Sequence, residues 1–370
     1  MRTLLASMFL LLATSLFADQ THGPQTAEYC GDCHRAIYDG WKQSVHATAM
    51  ESRLFQDALK MAESDFNGNT RAVCLRCHSP LAASSGDLSL IRKVSWEGIT
   101  CDYCHSVQEV TPTKINAVAR VEFNGVKSGP SMDAVSPAHG THFSKVHTTS
   151  LICSTCHDYR NALGFQVLTT YSEWEKSPYA KGGQQCQSCH MYSVQGKIVD
   201  VRVTNDSAPG INLHRMPGSR SVEQLNRAIQ SQVSATRQGE KVKVTVKLTN
   251  AGAGHYVPTG SPMRKLILEV RFEPFGEGPS SRVERIYART IQDQKGQTLP
   301  REDLAFLKAA KVVEDTRIAP KETRTETFTF DLAAGRRARV EANLDYYYSP
   351  MAVTAAEQKI RFMAMSRLIP

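Results

Sequence analysis

The chain has 370 residues, 41% of them hydrophobic, and a formal net charge of +8. The charge is uneven: from residue 226 onward 24 Lys and Arg face 16 Asp and Glu, whereas 20 of each precede that point. With no nucleic-acid-binding motif and an export-type N-terminus, a nucleic-acid role is a poor reading of the basic excess. It is either a solvated surface or a docking face for an acidic partner.

The opening residues set the compartment. Met1-Arg2-Thr3 is short and basic, Leu4 to Phe17 is almost wholly apolar, and Ala18 precedes Asp19-Gln20. This predicts a secretory signal peptide over residues 1–18, although Leu16 departs from the small residue usual before the cleavage site. The apolar run is short for a membrane span, and a retained N-terminal anchor is the alternative. No later stretch approaches that length, and no cysteine follows the signal to accept a lipid. The expectation is export to the periplasm, the cell surface or the extracellular space, with no integral span after cleavage.

All ten cysteines then fall into five Cys-x-x-Cys-His pentads: Cys30, Cys33 and His34; Cys74, Cys77 and His78; Cys101, Cys104 and His105; Cys153, Cys156 and His157; Cys186, Cys189 and His190. The pentad attaches c-type haem. Its two thiols add to the vinyl groups and its histidine becomes the proximal iron ligand. Zinc in a four-ligand site would need such units in pairs, and five is odd. Disulfides would leave the five histidines unexplained. Five covalently bound haem c groups follow, and their propionates make the haem-bearing half acidic.

Residues 19–225 are therefore read as a pentahaem domain, mainly helix and loop. With about 30 to 40 residues per haem, the porphyrins must supply much of the core themselves. Ala36, Ile37, Trp41 and Val45 recur at helical spacing, and Arg53 to Met61 also reads as helix. Asn67-Gly68-Asn69, Ser84-Ser85-Gly86-Asp87 and Lys127-Ser128-Gly129-Pro130 are turns. Residues 197–225 read as a connector. Over 226–370 the pattern becomes strand-like: Val242, Val244, Val246 and Leu248 alternate with Lys243, Thr245 and Lys247. Leu266 to Phe272, Val283 to Tyr287, Thr323 to Phe330 and Ala338 to Tyr347 continue it, with a short helix at Arg301 to Ala310. The spacing suggests a sandwich of about seven or eight strands, resembling immunoglobulin or fibronectin modules. The fold class is thus α+β multidomain: a multihaem domain followed by an all-β immunoglobulin-like sandwich.

Seven histidines lie outside the pentads: His22, His46, His139, His142, His147, His214 and His255. Five irons need at most five distal ligands, and His46, His139, His147, His214 and His255 are the candidates. His46 follows His34 by twelve residues. On one helix the two would be roughly 18 Å apart, whereas both ligands of one iron are about 4 Å apart. On that assumption His46 reaches a neighbouring haem. His142 reads as solvated or bonded to a propionate, and His22 lies close to the cleavage site. His255 stands in the Gly252-Ala253-Gly254 segment of the β half, where small residues permit close backbone approach to a bulky group. Met50, Met191, Met216 and Met263 are methionine candidates for one iron, with Met191 poorly placed beside His190.

Cys30 to Ala47, Trp96-Glu97-Gly98-Ile99-Thr100 and Glu173-Trp174 through Met191 resemble the exported multihaem cytochromes related to the tetrahaem cytochrome c of ammonia oxidation and the hydroxylamine oxidoreductase superfamily. The resemblance spans most of residues 28–218 and implies parallel and perpendicular haem pairs. Gly254 to Gly260 resembles a loop of multihaem cytochromes with C-terminal sandwiches. The fifth pentad departs from the tetrahaem pattern, so ligand assignments do not transfer wholesale.

Three functions fit. The first is an electron carrier between donor and acceptor cytochromes or a quinol-linked dehydrogenase, with mostly bis-histidine haems and the sandwich as docking module. The second is an enzyme acting on a small nitrogen or sulfur compound at one five-coordinate haem, with Arg35, Arg76, Tyr103 and Tyr159 as nearby polar groups. The third is a subunit of an extracellular filament that self-assembles through the sandwich. All five pentads end in histidine, which weighs against an ammonia-forming nitrite reductase with a lysine ligand.

Overall fold

A computed structural model describes residues 23–67, 69–200, 202 and 210–370. The signal-peptide reading and His22 lie outside the described residues.

Two regions differ in how they are held together. Up to residue 200 the chain is a series of short helices and two-stranded ribbons. Four pentads lie within single helical turns: helices Thr70–His78, Cys101–Ser106, Leu151–His157 and Cys186–His190. The first straddles the end of helix Ala27–Gly31. In a helix, positions i, i+3 and i+4 share one face, so both thiols and the histidine of each of these four helical units look the same way. Hydrophobic clusters here are small, such as Met50, Phe55, Leu59 and Leu75.

Helix Arg35–Lys42 ends before Val45, with Gln43 N–H donating to Gly40 O and Ser44 N–H to Trp41 O. Residues 44–51 are turns, so His34 and His46 do not share a helix, and the separation expected along a common axis does not apply to them. Ser52 then caps helix Arg53–Asp65 by accepting the Phe55 amide. The segment expected to be a plain connector contains a small ribbon, Ser193–Val194 with Ile211–Asn212, and the helix Val222–Ala228.

The C-terminal region is two antiparallel sheets. Thr323–Asp331, Lys241–Asn250 and Ile229–Gln238 form one; Lys311–Asp315, Ser281–Gln292, Lys265–Pro274, Ala338–Tyr347 and Lys359–Ile369 form the other, in those orders. Val242, Val244, Val246 and Leu248 are fully buried while their lysine neighbours face outward, as alternation requires. Gly239 has φ +64° and opens the two-residue turn between Gln238 and Lys241, where a left-handed first residue suits the strand twist. One core is shared by both sheets, and the Phe272 and Phe330 rings stack across it at 4.8 Å. Burying a side chain of this kind stabilises by about 1.5–3 kcal/mol.

Strands 229–238, 311–315 and 359–369 escape the sequence pattern. Lys311–Asp315 is an edge strand exposed along its whole length, so it carries no alternation to read. The predicted short helix is Glu302–Lys308. It packs on helix Arg53–Asp65 of the haem-bearing region, where Arg301 pairs with Asp65. Asn161 Nδ2 donates to Ala309 O at 2.7 Å and Tyr348 Oη to Ser219 O at 2.8 Å, adding to that seam.

Candidate haem-ligating site

The five pentads form one continuous group. The thiols of Cys30 and Cys101 lie close together, as do those of Cys77 and Cys156 and of Cys153 and Cys186. The first unit therefore adjoins the third, while the fourth adjoins both the second and the fifth. Cys104 lies near enough to Cys156 to feel its charge, which links the third unit to the fourth.

Four histidine pairs stand out by their spacing: His34 with His139 at 6.3 Å, His46 with His157 at 6.2 Å, His105 with His214 at 6.3 Å, and His190 with His255 at 6.4 Å between ring centroids. Two imidazoles on opposite sides of one metal ion, with bonds of about 2.0 Å and ring centres about 1.15 Å behind each nitrogen, have centroids about 6.3 Å apart. Each pair joins one pentad histidine to one histidine from elsewhere.

The tautomers agree with that spacing. Nδ1 of His34, His105, His139, His190, His214 and His255 lies 2.7–3.0 Å from the carbonyls of Ile198, Ser128, Gly140, Pro217, Asn212 and Tyr256 respectively. A carbonyl oxygen only accepts, so Nδ1 carries the proton and Nε2 keeps a lone pair for a metal. His46 Nδ1 likewise donates to the Met216 thioether at 2.8 Å. Met216, a candidate iron ligand by sequence, thus orients a histidine instead.

Burial favours the neutral form of His46, His105, His157, His190, His214 and His255. It drives His105 and His157 down to about 3 and His46 to about 4, with neighbouring histidines adding to the effect. His190, His214 and His255 are lowered for the same first reason, opposed by their carbonyl hydrogen bonds. Neutral imidazole is the form that binds metal. These residues fit haem c at every one of the four pairs.

The remaining histidines behave differently. His147 Nε2 donates to Cys104 O at 2.9 Å, and its ring lies 5.6 Å from His105, nearly parallel to it. It stands beside the His105–His214 pair, not across from an unpaired pentad. His142 sits on the exposed strand Gly140–Phe143. His78, pushed down to about 4 by burial, has Phe55 stacked on its face at 3.8 Å and 9°, and no histidine ring stands opposite it among the described residues. Its Nδ1 is buried without a hydrogen-bond partner.

Two of the methionines are core residues: Met50 is buried with Phe55 and Leu75, and Met263 packs beside Ile291 and Ala305. Arg35 pairs with Asp39 in solvent. Arg76 donates to Ala117 O at 2.6 Å and, with Tyr103 and Tyr159, flanks the cysteines of the second pentad. The backbone carbonyls that fix each tautomer leave no signal in the sequence, since any residue supplies one.

Comparison with known proteins agrees with this geometry. A family model for cytochrome c554 and c-prime matches residues 29–106, which hold the first three pentads. A penta-haem cytochrome c552 from Thermochromatium tepidum shares the fold with a TM-score of 0.74 and 22% identity, over 94% of this chain and 100% of that one. A superoxide reductase aligns over 38% of this chain and 86% of its own at a TM-score of 0.20 and 14% identity, too slight a likeness to carry meaning. None of the curated proteins compared with the chain matches it. The matched segment and the shared fold support a multihaem c-type cytochrome with covalently attached haem.

Proposed function

We propose that the chain is an exported pentahaem cytochrome that passes electrons between redox proteins, with four haems held by histidine on both faces. The observation that carries this reading is the set of four histidine pairs at 6.2–6.4 Å. Haem iron with two histidine ligands cycles between oxidation states at a potential set by ligand, burial and hydrogen bonding. The protein's part is to orient the imidazoles through Nδ1 donor bonds, as it does at His34, His46, His105, His139, His190, His214 and His255.

The thiol contacts support an order in which unit one adjoins three, three adjoins four, and four adjoins both two and five. His139 is only partly buried, which favours the first unit as an entry point for electrons. The C-terminal sheets, as an immunoglobulin-like sandwich over 226–370, serve as a docking module and supply His255. Export through the N-terminal signal suits this chemistry. Among the described residues no helix is long and apolar enough to cross a membrane.

A second reading attaches to His78 alone. With no histidine opposite it among the described residues, His78 would leave its haem an open coordination position, and Arg76, Tyr103 and Tyr159 lie near that pentad. Reductive titration tests both. A carrier takes up five electrons per chain and returns them to a soluble cytochrome without turning over a small molecule. Steady turnover of nitrite or hydroxylamine, with slow exchange to any protein, contradicts the carrier reading and favours the second.

A further inference from the structure

The loop that carries His255 is held onto the haem-bearing region largely by one carboxylate. We propose that Glu173 is a positioning residue for His255, seating the imidazole opposite His190 and so making the sixth ligand of the fifth haem depend on docking of the β region. This rests on the reading of His255 as an axial ligand.

Glu173 belongs to helix Thr170–Glu175, and its side chain is 7% exposed. All its acceptor capacity is directed. Oε2 accepts the Tyr256 amide at 3.1 Å and the Thr259 hydroxyl at 3.2 Å. Oε1 accepts Thr169 Oγ1 at 2.5 Å and pairs with Arg317 at 2.8 Å. Arg317 is braced in turn by Asp315 at 2.8 Å, with its guanidinium 4.8 Å from the Tyr256 ring centre.

Tyr256 is the link. Its N–H is held by Glu173, and its carbonyl receives the Nδ1 proton of His255 at 3.0 Å. A residue gripped at both ends transmits position directly to the imidazole it orients. A carboxylate accepting a backbone N–H makes one of the stronger hydrogen bonds available, and removing it orphans that N–H in a buried site. Helix and loop are also in tight contact: a Cβ on Gly254 would come within 2.9 Å of the Trp174 indole. The bulky group that Gly254 admits is therefore a tryptophan, whereas Gly252 lies against the Arg227 backbone. Thr170 and Thr259 hydroxyls meet at 2.8 Å, and Tyr179 bonds the Ala251 carbonyl. Asn250, fully buried, fixes the loop from the other side by donating to His255 O at 2.8 Å.

The test uses the full-length, haem-loaded protein with spin-state spectroscopy and a redox titration. His255→Ala is expected to turn one low-spin haem high-spin. Glu173→Ala is expected to place that same haem in a mixture of spin states and shift its midpoint alone. A tenfold weakening of the ligand in one oxidation state relative to the other corresponds to about 59 mV. Added imidazole should restore the low-spin signal in both variants, and Glu173→Asp should lie between Glu173→Ala and the parent. Should Glu173→Ala not accumulate, Glu173→Gln keeps the volume and one acceptor and carries the same readouts. If His255→Ala changes the spectrum while the Glu173 variants keep the parent spin state and midpoints, Glu173 is interface packing only and the proposal fails. If His255→Ala leaves the spectrum unchanged, the ligand reading beneath it fails instead.

Discussion

The two regions of this chain are stabilised by different materials. The C-terminal sheets bury their own side chains: Leu266, Leu268, Val270, Phe272, Val340, Ala342 and Leu344 are essentially inaccessible and form one cluster. The haem-bearing region has only scattered clusters of a few side chains, and the protein leaves its cysteines and pentad histidines partly uncovered. A region whose packing depends on a covalent cofactor should lose its order with that cofactor, whereas a self-packed sheet pair should not.

The contrast breaks most visibly when a haem is lost. Replacing Cys153 and Cys156 by alanine removes the unit that touches the second and fifth, and should unfold the haem-bearing region. Limited proteolysis should then leave a protected fragment beginning near residue 226; digestion of both regions together would show that they are one cooperative body. Within the β region, Phe272→Ala leaves a cavity beneath Phe330 and should cost about 3–5 kcal/mol in chemical denaturation, with the haem absorbance before unfolding unchanged.

Acid should separate the regions next. His105 and His157 are depressed to about 3, and His46 and His78 to about 4, by burial, so the folded state favours their neutral form. Their contribution is full above the ordinary value of 6.5 and is lost as pH falls from there toward 3. In the β region, burial works against ionised Asp345, but Arg361 and Lys359 outweigh it and hold the carboxyl below its ordinary 3.8. That contribution persists until pH falls below about 4. Haem absorbance should therefore change before β-sheet circular dichroism in an acid titration; coincident curves would contradict the separation. The smallest effect is expected for Lys241→Ala, which removes an exposed pair with Asp331 and should change stability by no more than about 0.5 kcal/mol.

The same contrast explains what could be read from the sequence. Val242 to Leu248 announces a strand because the protein makes that core from its own side chains. The pentads announce haem because attachment chemistry is local. Which histidine faces which is not local: His139 stands by His34 and His214 by His105 through tertiary folding. His147, in a histidine-rich loop, is indistinguishable from His139 until its bond to Cys104 O is seen. His46 stands opposite His157 by way of a turn, not the helix from which its reach was inferred. Glu173 drew notice only as part of a resemblance, since its partners Tyr256 and Arg317 lie far along the chain.

The most direct test is spin quantification by electron paramagnetic resonance on the fully oxidised, full-length protein. Four histidine pairs, and a His78 with no histidine opposite it among the described residues, correspond to four low-spin haems and one high-spin haem per chain. Five low-spin haems would mean that His78 has a ligand not identified among these pairs, and two or more high-spin haems would break at least one of them.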